Sequence, residues 1–144
     1  MSDVCGSAPF EDTITLRVYW EDTDAGGIVY HASHVRFFER GRTEFLRALG
    51  LNQTELAAEG PGLLFAVRRM EIDYLKASKL DDLLSVTTRV CDIGGARMTL
   101  KQTLARDEDV VATAVVTIVG ITREGRARRI PDDLRHLFGH PPAA

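Results

Sequence analysis

Glu21, Asp22 and Asp24 place three carboxylates within four residues, and Gly26 and Gly27 follow almost at once. A short apolar run, Ile28-Val29-Tyr30, leads to His31, where the side-chain spacing turns helical. This order sets a carboxylate and a helix N-terminus on either side of a flexible turn. Attack on a carbonyl needs both: an anionic group to act on water, and backbone N–H groups to hold the oxygen as it gains charge. The first N–H groups of a helix have no intrahelical acceptor and lie at the positive end of its dipole. The two glycines allow a tight turn and let a substrate approach the backbone.

Spacing alone does not choose among the three acids. Glu21 and Asp22 read as solvated loop acids or helix-capping groups. A calcium loop fails on inspection. Asp22, Asp24 and Gly27 match its first, third and sixth positions, but Ser33 stands where a bidentate acid is required. His31 and His34 have helical spacing without a third ligand, so no metal site is expected.

The elements that must position these residues follow from periodicity. Residues 13–20 alternate, with Ile14, Leu16, Val18 and Trp20 on one face, which marks a half-buried strand. From 31 to 49 the period changes. Phe38, Gly41, Phe45, Leu46 and Leu49 recur at spacings of three and four, the mark of a helix with one apolar stripe, and Gly50 ends it. A short helix is expected over 53–59, stopped by Gly60-Pro61. Strands are expected over 64–76, 83–91, 97–105 and 110–121, the last apolar enough for a central strand buried on both faces. A short terminal helix starts near Pro131. Short connections imply antiparallel pairing. The class is therefore α+β, a five-stranded antiparallel sheet curved around one long helix. Gly41 inside that helix costs about 1 kcal/mol relative to alanine; it marks either a close approach of the sheet or a merely tolerated residue.

The chain has 144 residues, with 44% hydrophobic and 27% charged, as expected of one globular domain spanning 1–144 with loose ends at 1–11 and 139–144. Its net charge of −3 gives no global basic field, which argues against a nucleic-acid partner. The charge is uneven: six acids and one base occupy residues 1–30, and four arginines and one acid occupy 121–130. Cys5 and Cys91 form no recognisable spacing, so free thiols and a reducing compartment are expected. No leader-like segment or membrane-spanning run is seen, which points to a cytoplasmic protein.

The stretch Tyr19-Trp20-Glu21-Asp22-Thr23-Asp24-Ala25-Gly26-Gly27-Ile28-Val29-Tyr30-His31-Ala32-Ser33 resembles the active-site signature of hot-dog-fold acyl-CoA thioesterases, the 4-hydroxybenzoyl-CoA thioesterase superfamily. Within it, the bacterial branch encoded beside the Tol–Pal cell-envelope genes is most similar. Phe37-Phe38-Glu39-Arg40-Gly41-Arg42-Thr43-Glu44-Phe45-Leu46 and Tyr74-Leu75-Lys76-Ala77-Ser78-Lys79-Leu80-Asp81-Asp82 resemble the same branch. The resemblance implies the hot-dog fold and hydrolysis of a CoA or acyl carrier protein thioester to acid and thiol. It makes Asp24 the catalytic carboxylate, as general base or nucleophile, and the backbone N–H of His31 the oxyanion donor. The His31 imidazole, Tyr30, Gly27 and Glu39 are secondary candidates. Glu39 lies two turns from His31, where some hot-dog enzymes carry their carboxylate and where a pair with Arg42 is equally open.

Coenzyme A would enter as part of the substrate, with no metal or redox cofactor. Its phosphates need cations, for which Arg97 and Lys101 are the first candidates, beside Lys76, Lys79 and the arginines at 123–129. The resemblance also implies a homodimer or homotetramer with the site between protomers. Two rival readings stand. A hydratase or dehydratase would use His31 with Glu39, and a binding module would dock acyl carrier protein on the arginines at 123–129.

Overall fold

A computed structural model describes residues 10–139. Its strands are β1 (Glu11–Arg17), β2 (Leu64–Tyr74), β3 (Leu83–Ile93), β4 (Arg97–Arg106) and β5 (Asp109–Ile121). Its helices are α1 (Ser33–Ala48), α2 (Gln53–Ala58) and α3 (Asp132–Gly139). The strands form one sheet in the order β1-β3-β4-β5-β2, every pair antiparallel. The sheet curves around α1, as the hot-dog fold requires.

Helix α1 buries Phe37, Phe38, Gly41, Phe45 and Leu46 against Leu84, Val86, Met98, Leu100, Leu104 and Val116 of the sheet. Its end shows why Gly50 is there. Gly50 has φ +83. Its N–H donates to Arg47 O at 2.9 Å, and the next N–H, of Leu51, donates to Leu46 O at 2.9 Å. That pair of bonds is a Schellman cap, which needs a left-handed residue where glycine has no steric cost. Helix α2 starts on Asn52, whose Oδ1 accepts the Glu55 N–H at 3.1 Å.

Gly41 resolves to the close-approach reading. A β-carbon there would lie 2.5 Å from Val86 Cγ1, 2.9 Å from Gln102 Nε2 and 3.0 Å from Thr88 Oγ1. The sheet presses on the helix backbone at this point, and a buried polar group sits in the gap. Gln102 is fully buried; its Nε2 donates to Phe38 O at 2.8 Å and to Thr88 Oγ1 at 2.9 Å, and its Oε1 accepts from Arg42 at 3.1 Å. All of its amide capacity toward the helix is used, as a buried amide requires.

Four expectations change. The first strand does not run to Trp20. It ends at Arg17, Val18 bonds back to Asp81 and Asp82, and Trp20 opens a 3-10 turn with 80% of its surface exposed. Strand β5 is not buried on both faces: Ala112, Ala114, Val116 and Ile118 are buried, while Thr113, Val115, Thr117 and Val119 on the other face are only partly so. It lies next to the edge strand, and β4 is the middle one. Ordered structure begins earlier than residue 12, since β1 takes in Glu11 and Phe10 packs on Phe45 with ring centroids 5.5 Å apart. Finally, Cys91 is disulfide-bonded, and no described cysteine is free. Cys5 lies outside the described residues. Among the described residues no helix is long and apolar enough to cross a membrane.

Candidate active site

The segment between β1 and α1 is held by Asp22. Asp22 is only 3% exposed, so of the two expectations, solvated loop acid or helix-capping group, it meets the second. Oδ2 accepts the Tyr19 N–H at 2.8 Å, and Oδ1 faces the Arg36 guanidinium at 3.6 Å. Its own carbonyl accepts the Tyr30 N–H at 2.9 Å and the Ser33 hydroxyl at 3.1 Å. One residue therefore ties the incoming turn to the first turn of α1. Burial of this carboxylate is tolerable because it is hydrogen-bonded and faces a cation.

Beyond Asp22 the chain makes a tight turn. Asp24 N–H donates to Ile28 O at 2.8 Å, and Gly27 N–H donates to Asp24 O at 3.0 Å. Gly27 has φ +82, a conformation that strains any residue with a β-carbon. Gly26 N–H donates to Asp24 Oδ1 at 2.8 Å, which orients the carboxylate. Oδ2 accepts no hydrogen bond from the described residues, and the side chain is exposed. Val29 N–H donates to Ser78 O at 2.8 Å and so fastens the far side of the turn to the segment after β2.

Asp24, Val29, His31, His34, Tyr74 and Ser78 line one hollow of about 350 Å³, with Ile28 and Lys76 at its wall. On its other side Asp24 borders a second hollow with Trp20, Gly27 and Leu80. His31 directly precedes the capping residue of α1, and its N–H donates to nothing among the described residues. Asp24 and His31 thus line one concavity just ahead of the N-terminus of α1.

Other candidates fall elsewhere. Tyr30 is exposed, its ring leaning on that of His31 at 4.5 Å. Glu39 does not reach this hollow; it accepts the Thr43 hydroxyl at 2.9 Å and borders a separate cavity under α1. Arg42, its expected partner, is directed to Gln102 instead. Arg97 and Lys101 lie away from Asp24 within the chain. Arg97 pairs with Val119, whereas Tyr74 beside the hollow pairs with Ala112, a separation of roughly 23 Å along the strand at about 3.3 Å per residue. Lys101 lies on the outer face, with Thr99 and Thr103. The arginine run is also partly committed. Arg123 donates to Ala57 O at 2.8 Å and Gly60 O at 2.6 Å, and Arg128 donates to Gly62 O at 2.8 Å. These two arginines close the loop after α2.

Three lining residues had no assigned role from the sequence: His34, Tyr74 and Ser78. His34 could have been noticed as the next inward position after His31 on the helix. Tyr74 read as one more member of an alternating strand. Ser78 entered only as part of the 74–82 stretch that resembles the family branch; its Oγ is buried with no hydrogen-bond partner among the described residues. His34 is 4% exposed, and burial is the main cause that lowers its pKa below the ordinary 6.5. A depressed histidine pKa means the unfolded state takes up the proton first on acidification. Stability is therefore lost as the pH falls from about 6.5 toward the folded value. Thermal melting at pH 7.5 and pH 5.5 should show a smaller acid-induced drop for His34→Gln than for the parent protein; an equal drop in both overturns this reading.

Residues 18–138 match the family model of the thioesterase-like superfamily. The chain belongs to the thioesterase-like superfamily. Among members of this superfamily, the acyl-CoA thioesterase YbgC of Haemophilus influenzae is 42% identical over 127 residues, covering 87% of this chain and 92% of that one. The acyl-CoA thioester hydrolase YbgC of Escherichia coli O157:H7 is 40% identical over 104 residues, or 72% and 76% of the two chains. The crystal structure of a probable thioesterase from Bartonella henselae superposes with a TM-score of 0.82 at 44% identity, covering 85% of this chain and all of the other. The matched span includes the whole Asp22–His34 segment, so the thioesterase-like family and the site geometry concern the same residues.

Proposed function

We propose that this chain hydrolyses acyl-CoA thioesters: water adds its oxygen to the acyl carbon, the carbon–sulfur bond breaks, and free acid and coenzyme A thiol leave. The observation that carries this reading is the shared hollow of Asp24 and His31. Asp24 keeps one carboxylate oxygen without a partner in the described chain, as a general base or a nucleophile must. The N–H of His31, at the start of α1, is the donor for the oxyanion. The two YbgC relatives named above as acyl-CoA thioester hydrolases support the substrate class.

The acyl group and pantetheine arm have two hollows flanking Asp24 to occupy. Exposed apolar residues around them, Trp20, Ile28, Leu75 and Leu80, support a site completed by a second protomer. Phosphates of the coenzyme A tail then meet cations such as Arg97 or Lys101 across that interface rather than within one chain. The hydratase reading is disfavoured because Glu39 borders a different cavity from His31. Docking of acyl carrier protein on residues 123–129 is disfavoured because Arg123 and Arg128 are held by backbone carbonyls.

The test is thiol release from short, branched, aromatic and long acyl-CoAs, with acyl carrier protein thioesters in parallel. At least one class should turn over with kcat/KM above about 10⁴ M⁻¹s⁻¹, the low end of ordinary enzymes. No thiol release from any of them, or loss of enoyl absorbance without thiol release, refutes the proposal.

A further inference from the structure

Tyr74 stands at the C-terminal end of β2, beside Asp24 in the fold but on a different element. Its hydroxyl donates to the carbonyl oxygen of His31 at 2.7 Å. Its ring meets the His34 imidazole edge-on, with centroids 4.8 Å apart and planes at 85°. His34 Nδ1 approaches Tyr30 O at 3.3 Å. A carbonyl can only accept, so this contact selects the tautomer with a proton on Nδ1.

These contacts surround one residue. The Tyr30 carbonyl and the His31 N–H belong to the same peptide unit. Tyr30 O is held by His34 Nδ1 and by the Ser33 N–H at 2.8 Å. The carbonyl of the next unit, His31 O, is held by Tyr74. Both peptide units of residue 31 are thus fixed by hydrogen bonds, although residue 31 precedes the helix and lies outside its ladder. An oxyanion donor acts only when it is aimed before reaction at the position the oxyanion will occupy. Small misplacement costs rate steeply.

We propose that Tyr74 is a positioning residue for the His31 N–H: its hydroxyl anchors the His31 carbonyl to β2, and its ring holds His34 against the Tyr30 carbonyl. This inference rests on the assignment of Asp24 and His31 made above.

Tyr74→Phe tests it, since phenylalanine keeps the ring against His34 and removes only the hydroxyl. The expected result is a fall in kcat of about tenfold, a tenth or less of the loss from deleting an oxyanion donor outright, with KM within about twofold of the parent. Two inert ligands separate positioning from general damage. One is a trifluoromethyl ketone of coenzyme A, CF3–CO–CH2–S-CoA, whose carbonyl takes up water to a tetrahedral hydrate with an oxygen at the oxyanion position. The other is an S-alkyl thioether of coenzyme A, which has no carbonyl. Tyr74→Phe should weaken the ketone and leave the thioether unchanged. An unchanged kcat overturns the positioning role, and so does equal weakening of both ligands. Asp24→Ala, assayed alongside, keeps the two readings apart. If it turns over like the parent, the underlying site assignment fails. If it is inactive while Tyr74→Phe is fully active, only the role of Tyr74 fails.

Discussion

Asp24→Ala is expected to lower kcat for acyl-CoA hydrolysis by at least about 10²-fold, the usual scale for a positioned acid–base group. The side chain is exposed and, among the described residues, makes one hydrogen bond, from the Gly26 N–H at 2.8 Å. Its removal therefore leaves the fold in place, and circular dichroism melting should stay near that of the parent. That separation matters, because loss of activity through unfolding would say nothing about chemistry. Asp22→Ala is the informative contrast: Asp22 is buried and holds the Tyr19 N–H and the Arg36 side, so it should lose stability first. Retention of near-parental turnover in folded Asp24→Ala would falsify the assignment. A single turnover in ¹⁸O-labelled water then distinguishes the routes. Direct attack of water puts the label into the product acid, whereas an anhydride opened at its aspartyl carbon leaves the label in Asp24.

Gly41→Ala is expected to destabilise the fold by about 1–2 kcal/mol. Alanine gains about 1 kcal/mol over glycine in a helix interior, so propensity alone predicts the opposite sign. Against it stands a β-carbon 2.5 Å from Val86 Cγ1 and 2.9 Å from Gln102 Nε2. Overpacking of this kind costs about 1–3 kcal/mol and more where the neighbours cannot yield. Gln102 cannot yield freely, since its Nε2 is committed to Phe38 O and Thr88 Oγ1, and moving it leaves buried acceptors unpaired. The melting temperature should fall by about 3–4 °C per kcal/mol for a chain of this length, measured at fixed protein concentration. A variant that melts at or above the parent would show that the sheet can retreat from α1 at no cost, contrary to the packing described.

The elements were legible in the linear pattern because each depends on neighbours in the chain. Phe38, Gly41, Phe45, Leu46 and Leu49 mark one face of α1 at helical spacing, and Gly50 marks its end; both hold in the structure. The five strands and their antiparallel sense follow from alternation and short connections; their order does not, since β2 pairs with β5 rather than with β1 or β3, its neighbours in the chain. The misjudged boundary at Trp20 has a local look and a non-local cause. Alternation continues through Trp20, but Val18 bonds to the segment before β3, and the buried Asp22 accepts the Tyr19 N–H. The apolar outer positions of β5 show the complementary error, since strand-forming residues do not reveal whether a second layer covers them.

By itself the sequence determined the class of fold, the long helix with a glycine inside it, and the short stretch in which a carboxylate precedes a helix N-terminus. These are properties of spacing along the chain. Only the tertiary structure decided that Asp22 is a buried capping group, the second of its two readings, that the Gly41 backbone meets the sheet closely, that Glu39 borders another cavity, and that Arg123 and Arg128 serve the loop after α2. It alone brought Tyr74 to the carbonyl of His31, 43 residues away in the chain. Hydrogen bonds and burial between distant residues depend on how the sheet closes over the helix, and no local period encodes that closure.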